Sequence, residues 1–214
     1  MTPQATSAEA LRLCRIAPVI PVLTVEDAAT AAALARALIA GGLRVLEVTL
    51  RSAAALDAIR AMAGVRGGIV GAGTVLSPDD VQAAKAAGAR FAVSPGATDA
   101  LLAACEAASL PLLPGAATAT EAMRLLERGY STQKFFPAQA SGGAAALKAL
   151  GAPLPQISFC PTGGVSFDNA AAYLALPNVP CVGGSWVAPK AAIKAGDWPE
   201  ITRLAAQANG LLHG

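Results

Sequence analysis

Gly68-Ile69-Val70-Gly71-Ala72-Gly73-Thr74-Val75, followed by Ser77-Pro78-Asp79-Asp80 and an alanine-rich run to Ala87, is the stretch that decides the fold. A short apolar run gives way to a capping serine, a proline at the first helical position and two acids in the first turn, which predicts a strand and then a helix. The same unit recurs outward in both directions. Strands are predicted at 17–23, 44–50, 68–75, 91–95, 110–114, 133–137, 156–161 and 179–183. Helices fill the gaps, for example at 25–40, 78–87 and 120–128, with an extra one at 7–13 before the first strand. No linker interrupts the rhythm. Eight such units predict an α/β chain folded as one (β/α)8 TIM barrel domain over residues 1–214, although a doubly wound open sheet shares the same periodicity.

Composition narrows the function. Hydrophobic residues make up 54% of the chain and charged residues 14%, which suits close packing and surface hidden in an oligomer. A net charge of +2, with no basic cluster, argues against a nucleic-acid partner. No apolar run reaches the roughly 20 residues of a spanning helix, and residues 1–9 lack the basic and apolar regions of a signal peptide. A cytoplasmic location with no membrane partner is expected. Cys14, Cys105, Cys160 and Cys181 are far apart in the chain and accompanied by one histidine, His213, so buried free thiols are expected and no metal site.

In a barrel, chemistry sits where strands end. Of the five lysines, Lys134 alone lies in a predicted strand, where the alternation of side chains puts Lys134 and Phe136 on one face. If that face is interior, burial lowers the amine pKa and favours nucleophilic attack on a ketone; the plainer reading is an edge lysine reaching solvent. Glu47 is the only acid in a predicted strand, and Glu47, Thr49 and Arg51 share a face. A structural Glu47–Arg51 ion pair competes there with a proton shuttle and a carboxylate clamp. Thr162-Gly163-Gly164 and Gly183-Gly184-Ser185 follow the seventh and eighth strands, where barrel loops often cradle a phosphate, although a glycine in a tight turn has ordinary uses as well.

At these residues the chain resembles the 2-keto-3-deoxy-6-phosphogluconate (KDPG) aldolases of the Entner–Doudoroff pathway, a class I family on a TIM barrel. The resemblance runs through residues 40–51, 70–76 and 94–96, then Lys134-Phe135-Phe136-Pro137-Ala138, Phe159-Cys160-Pro161-Thr162-Gly163-Gly164 and Gly183-Gly184-Ser185-Trp186. It implies that Lys134 forms an imine and Glu47 moves protons. It further implies that Arg51 and Thr74 hold a pyruvate carboxylate, while the two glycine turns and Ser185 hold a phosphate. Pro95, Phe136 and Thr162, inside the matched motifs, complete the set expected to touch substrate. No cofactor, a homotrimer and side activity on 4-hydroxy-2-oxoglutarate are implied too. The alternatives are preference for that substrate or for the phosphogalactonate epimer, a phosphate-binding isomerase or synthase, and a silent or engineered assembly scaffold.

Overall fold

The computed structural model describes residues 1–211; His213 lies outside the described residues. Among the described residues there are nine strands: β1 Val19–Leu23, β2 Val45–Thr49, β3 Ile69–Gly73, β4 Ala92–Val93, β5 Leu112–Leu113, β6 Gly115–Ala116, β7 Thr132–Phe135, β8 Ser158–Pro161 and β9 Val182–Gly184. The helices are α1 Pro3–Cys14, α2 Ala31–Ala40, α3 Ala55–Ala63, α4 Pro78–Ala86, α5 Asp99–Ala108, α6 Ala119–Arg128, α7 Gly143–Gly151, α8 Phe167–Leu174, α9 Lys190–Ala195 and α10 Trp198–Asn209. Every strand pairing is parallel. None of these helices is long and apolar enough to cross a membrane.

The strands run β5-β4-β3-β2-β1-β9 in one curled sheet and β6-β7-β8 in another. Of the strand expected at 110–114 only Leu112–Leu113 forms, as β5, and a second short strand, β6, follows just past it. Pro114 sits between them and has no N–H to give to a ladder. Its carbonyl still accepts from Lys134 N at 2.8 Å, so the chain pairs with β4 before the proline and with β7 after it. At the other seam an isolated parallel bridge joins Thr162 to Gly183.

The two-residue period sorts the core. Leu46 and Val48 of β2, and Val70 and Ala72 of β3, pack outward in the cluster shared with the helices. Ile20, Val45, Phe91, Val93 and Leu113 form a second cluster on the concave face, together with Ala10, Leu13 and Cys14 of α1. Glycine at position 71 makes the room this requires: a Cβ there would lie 2.5 Å from the Phe91 ring. The N-terminal helix therefore covers the end of the sheet where the strands begin. Buried Ser7 on α1 accepts from Thr132 N at 2.8 Å, pinning the base of β7.

The helix predicted at 25–40 is a 3₁₀ turn, Ala28–Thr30, leading into α2. Asp27 caps that turn by accepting from Ala29 N at 2.9 Å, so the chain becomes helical after Asp27 and not before.

Candidate active site

Lys134 projects from β7 onto the concave face and is buried. Its strand is tied down from the opposite face, where Gln133 donates through Nε2 to the carbonyls of Ala122 (3.0 Å) and Tyr130 (2.9 Å). The amine lies 3.5 Å from Glu47 Oε1 and 5.1 Å from the centre of the Phe136 ring. Phe136 stands one residue past β7, ahead of a cis bond to Pro137. Lys134 is therefore an interior amine paired with a buried acid, not an edge lysine reaching solvent.

Glu47, in the middle of β2, fits because Gly73 stands beside it on β3. A Cβ at residue 73 would fall 2.2 Å from Glu47 Oε1. Burial pushes the Glu47 carboxyl above its ordinary range, and the charge and hydrogen bond of Lys134 pull against that rise. A buried carboxylate is tolerated here by pairing. The partner is Lys134 and not Arg51, so the Glu47–Arg51 ion pair considered from alternation is replaced: β2 ends at Thr49, and Arg51 turns to donate to Thr24 Oγ1 at 3.0 Å.

Thr74 follows β3 with φ 57°, the left-handed region that a β-branched residue rarely adopts. Past β8, Gly163 (φ 98°) and Gly164 (φ 75°) need positive φ for the turn itself. Their carbonyls are occupied, Gly163 O by Gln139 N at 2.9 Å and Gly164 O by Asn169 Nδ2 at 3.0 Å. Gly183 and Gly184 are glycines for a different reason, space. A Cβ would fall 2.3 Å from Thr162 Oγ1 at Gly183 and 1.7 Å from the Trp186 ring at Gly184.

Lys134, Glu47, Arg51, Thr74, Pro95, Phe136, Thr162, Gly163, Gly164, Gly183, Gly184 and Ser185 all line one cleft of about 200 Å³, so every residue singled out from sequence comes together. Val22, Thr49 and Val165 also line it. Of these, Thr49 carried a signal, its shared face with Glu47; Val22 and Val165 are apolar residues of a kind the whole chain contains. Gly73 was missed as a support for Glu47, because a glycine beside an acid becomes informative only once strand register is known.

The four cysteines are buried free thiols, as expected from the sequence, but their placement was not foreseen. Three that are far apart in the chain converge: the sulfurs of Cys14, Cys160 and Cys181 lie within 4.8 Å of one another, and all three side chains are buried. Cys160 is in register with Lys134, and the α1 position of Cys14 brings it to the same spot. Among the described residues this is the one group of thiols, imidazoles or carboxylates placed to surround an ion. It sits in the apolar cluster and outside the cleft lining, so these thiols pack as small apolar side chains.

A buried amine touching a buried acid, with a guanidinium and glycine turns around one small cleft at the C-terminal strand ends, defines a carbonyl-condensing site of the Schiff-base type. Residues 11–204 match the family described as KDPG and KHG aldolase. The chain is 55% identical to the 2-dehydro-3-deoxy-phosphogluconate aldolase of Pseudoalteromonas atlantica, over 89% of each chain. It is 50% identical to the KHG/KDPG aldolase of Escherichia coli, over 95% of each. A crystal structure of KDPG aldolase from Legionella pneumophila, with pyruvate captured as a covalent carbinolamine intermediate, superimposes with a TM-score of 0.90 at 44% identity, covering 98% of this chain and 99% of that one. The chain belongs to the KDPG and KHG aldolase family.

Proposed function

We propose that this protein is a class I aldolase cleaving 2-keto-3-deoxy-6-phosphogluconate to pyruvate and glyceraldehyde 3-phosphate in the Entner–Doudoroff pathway. The observation that carries the reading is the Lys134–Glu47 pair, 3.5 Å apart and buried in the cleft that Arg51 and Ser185 also line. Lys134 adds to the C2 ketone, and loss of water from the carbinolamine leaves a protonated imine. Glu47 takes the C4 hydroxyl proton through a water, the C3–C4 bond breaks, and its electrons pass into the imine to give an enamine. Glyceraldehyde 3-phosphate departs. Glu47 returns a proton to C3, and hydrolysis of the resulting imine frees pyruvate and Lys134. A carboxyl raised by burial suits a group that must both take and give a proton.

Arg51 and Thr74 hold the carboxylate, with Pro95 and Phe136 walling the pyruvate half of the substrate. Thr162, Gly163, Gly164, Gly183, Gly184 and Ser185 receive the phosphate. The Pro114 hand-over and the Thr162–Gly183 bridge support reading the two sheets as the wall of a single (β/α)8 barrel domain. Membership of the family supports a homotrimer that works in the cytoplasm. Activity on 4-hydroxy-2-oxoglutarate is a second reading, favoured by the name of the Escherichia coli relative.

Borohydride reduction in the presence of pyruvate tests the assignment. A three-carbon adduct is expected on Lys134, and Lys134→Ala should lose both the adduct and nearly all cleavage. An adduct on Lys85 or Lys148 would contradict it.

A further inference from the structure

The ends of β1 and β2 are joined by side chains after their backbone pairing stops at Leu23 and Val48. Thr49 Oγ1 lies 2.9 Å from Leu23 O, Thr24 Oγ1 lies 3.0 Å from Thr49 Oγ1, and Arg51 Nη2 lies 3.0 Å from Thr24 Oγ1. Ser52 Oγ adds a fourth tie, to Val25 O. The proton directions in this chain are determined. A carbonyl can only accept, so Thr49 donates to Leu23 O; the Thr49 hydrogen is then spent, so Thr24 donates to Thr49. The lone pairs of Thr24 are left facing the guanidinium.

We propose that Thr24 is a positioning residue for substrate binding, aiming the Arg51 guanidinium into the cleft through a one-way chain of hydroxyls anchored on Leu23 O. This rests on the reading of Arg51 as the carboxylate clamp. Arg51 is exposed, and its one side-chain hydrogen bond among the described residues is the one to Thr24. Without that bond a long cationic side chain at the rim explores many rotamers, and substrate must order it on binding. The bond engages one terminal nitrogen and leaves the remaining donors of the fork for an incoming carboxylate. Thr24 lies outside the lining of the cleft around Lys134, in an adjoining pocket that shares Val22, Arg51 and Ser185 with it, and its hydroxyl faces the cleft through Arg51.

The test compares Thr24→Val, which keeps the shape and removes the hydroxyl, with Thr24→Ser, which keeps the hydroxyl. Thr24→Val should raise KM for the phosphorylated keto acid about fivefold, on the order of 1 kcal/mol for one lost hydrogen bond, with kcat little changed. Thr24→Ser should restore KM, and Thr24→Val should add nothing in an Arg51→Ala background. An unchanged KM in Thr24→Val, a Thr24→Ser as impaired as Thr24→Val, or a further KM rise in the double variant would each overturn the proposal. Arg51→Ala alone separates the two levels. If it raises KM while Thr24→Val does not, the relay fails and the clamp stands; if it leaves KM unchanged, the clamp fails and the relay with it. Thermal unfolding of each variant checks that the fold is retained.

Discussion

The two ends of the concave face are built by the same strands yet have opposite chemistry. On β2, Val45 at the start joins an apolar cluster, while Glu47 and Thr49 further along line the cleft. Both ends are buried, so burial does not distinguish them. What distinguishes them is their cover. The N-terminal end is sealed by α1 through the apolar side chains of Ala10 and Leu13 and the thiol of Cys14. The C-terminal end is covered by glycine turns and rim side chains, leaving about 200 Å³ around a charged pair. One end contributes cohesion and the other reactivity.

That division can be broken experimentally, and the largest effect is expected at Glu47. Glu47→Gln should cut cleavage by roughly two to four orders of magnitude, the usual range for a general acid–base group. The sign with pH follows from burial. Because the Glu47 carboxyl is raised, the carboxylate that accepts the C4 proton forms only as pH climbs past its ordinary value of 4.5. The acid limb of the pH–rate profile should therefore lie above that value and disappear in Glu47→Gln. A limb that persists would assign it to another group.

Leu13→Ala attacks the opposite end. Truncating this buried side chain should cost about 2–5 kcal/mol of stability. Denaturant unfolding reads that loss, and kcat/KM of the folded fraction should not follow it. A matching fall in kcat/KM would mean the two ends are coupled. The smallest effect is expected at the rim: Ser185→Ala should cost about 1.5–3 kcal/mol in kcat/KM for the phosphorylated substrate, as for a hydrogen bond to a charged group, and spare 4-hydroxy-2-oxoglutarate. Equal losses on both substrates would remove Ser185 from the phosphate site.

Much of this division was legible in the sequence. Alternation told which residues share a face with Lys134 and with Glu47, because both lie within regular strands, but that these faces are interior came from the structure. The same period grouped Phe136 with Lys134, and Arg51 with Glu47 and Thr49, and all of them line the cleft although Arg51 and Phe136 lie past the last residues of β2 and β7. Thr74 became a candidate through family resemblance alone, since a left-handed threonine leaves no mark in residue order. The meeting of Cys14, Cys160 and Cys181 was hidden because register and the path of α1 bring together residues with no sequence proximity. Pro114 was visible, but that β5 would end before it and β6 begin after it depended on which neighbours its carbonyl and missing N–H would face.

The contact between Lys134 and Glu47 joins positions 87 residues apart in the chain. Closing so long a loop costs entropy before any contact compensates it, so this pair forms only when β2 and β7 already face each other. Capture of pyruvate on Lys134 during refolding would thus act as a clock for long-range assembly, recording when distant halves of the polypeptide first share an interior.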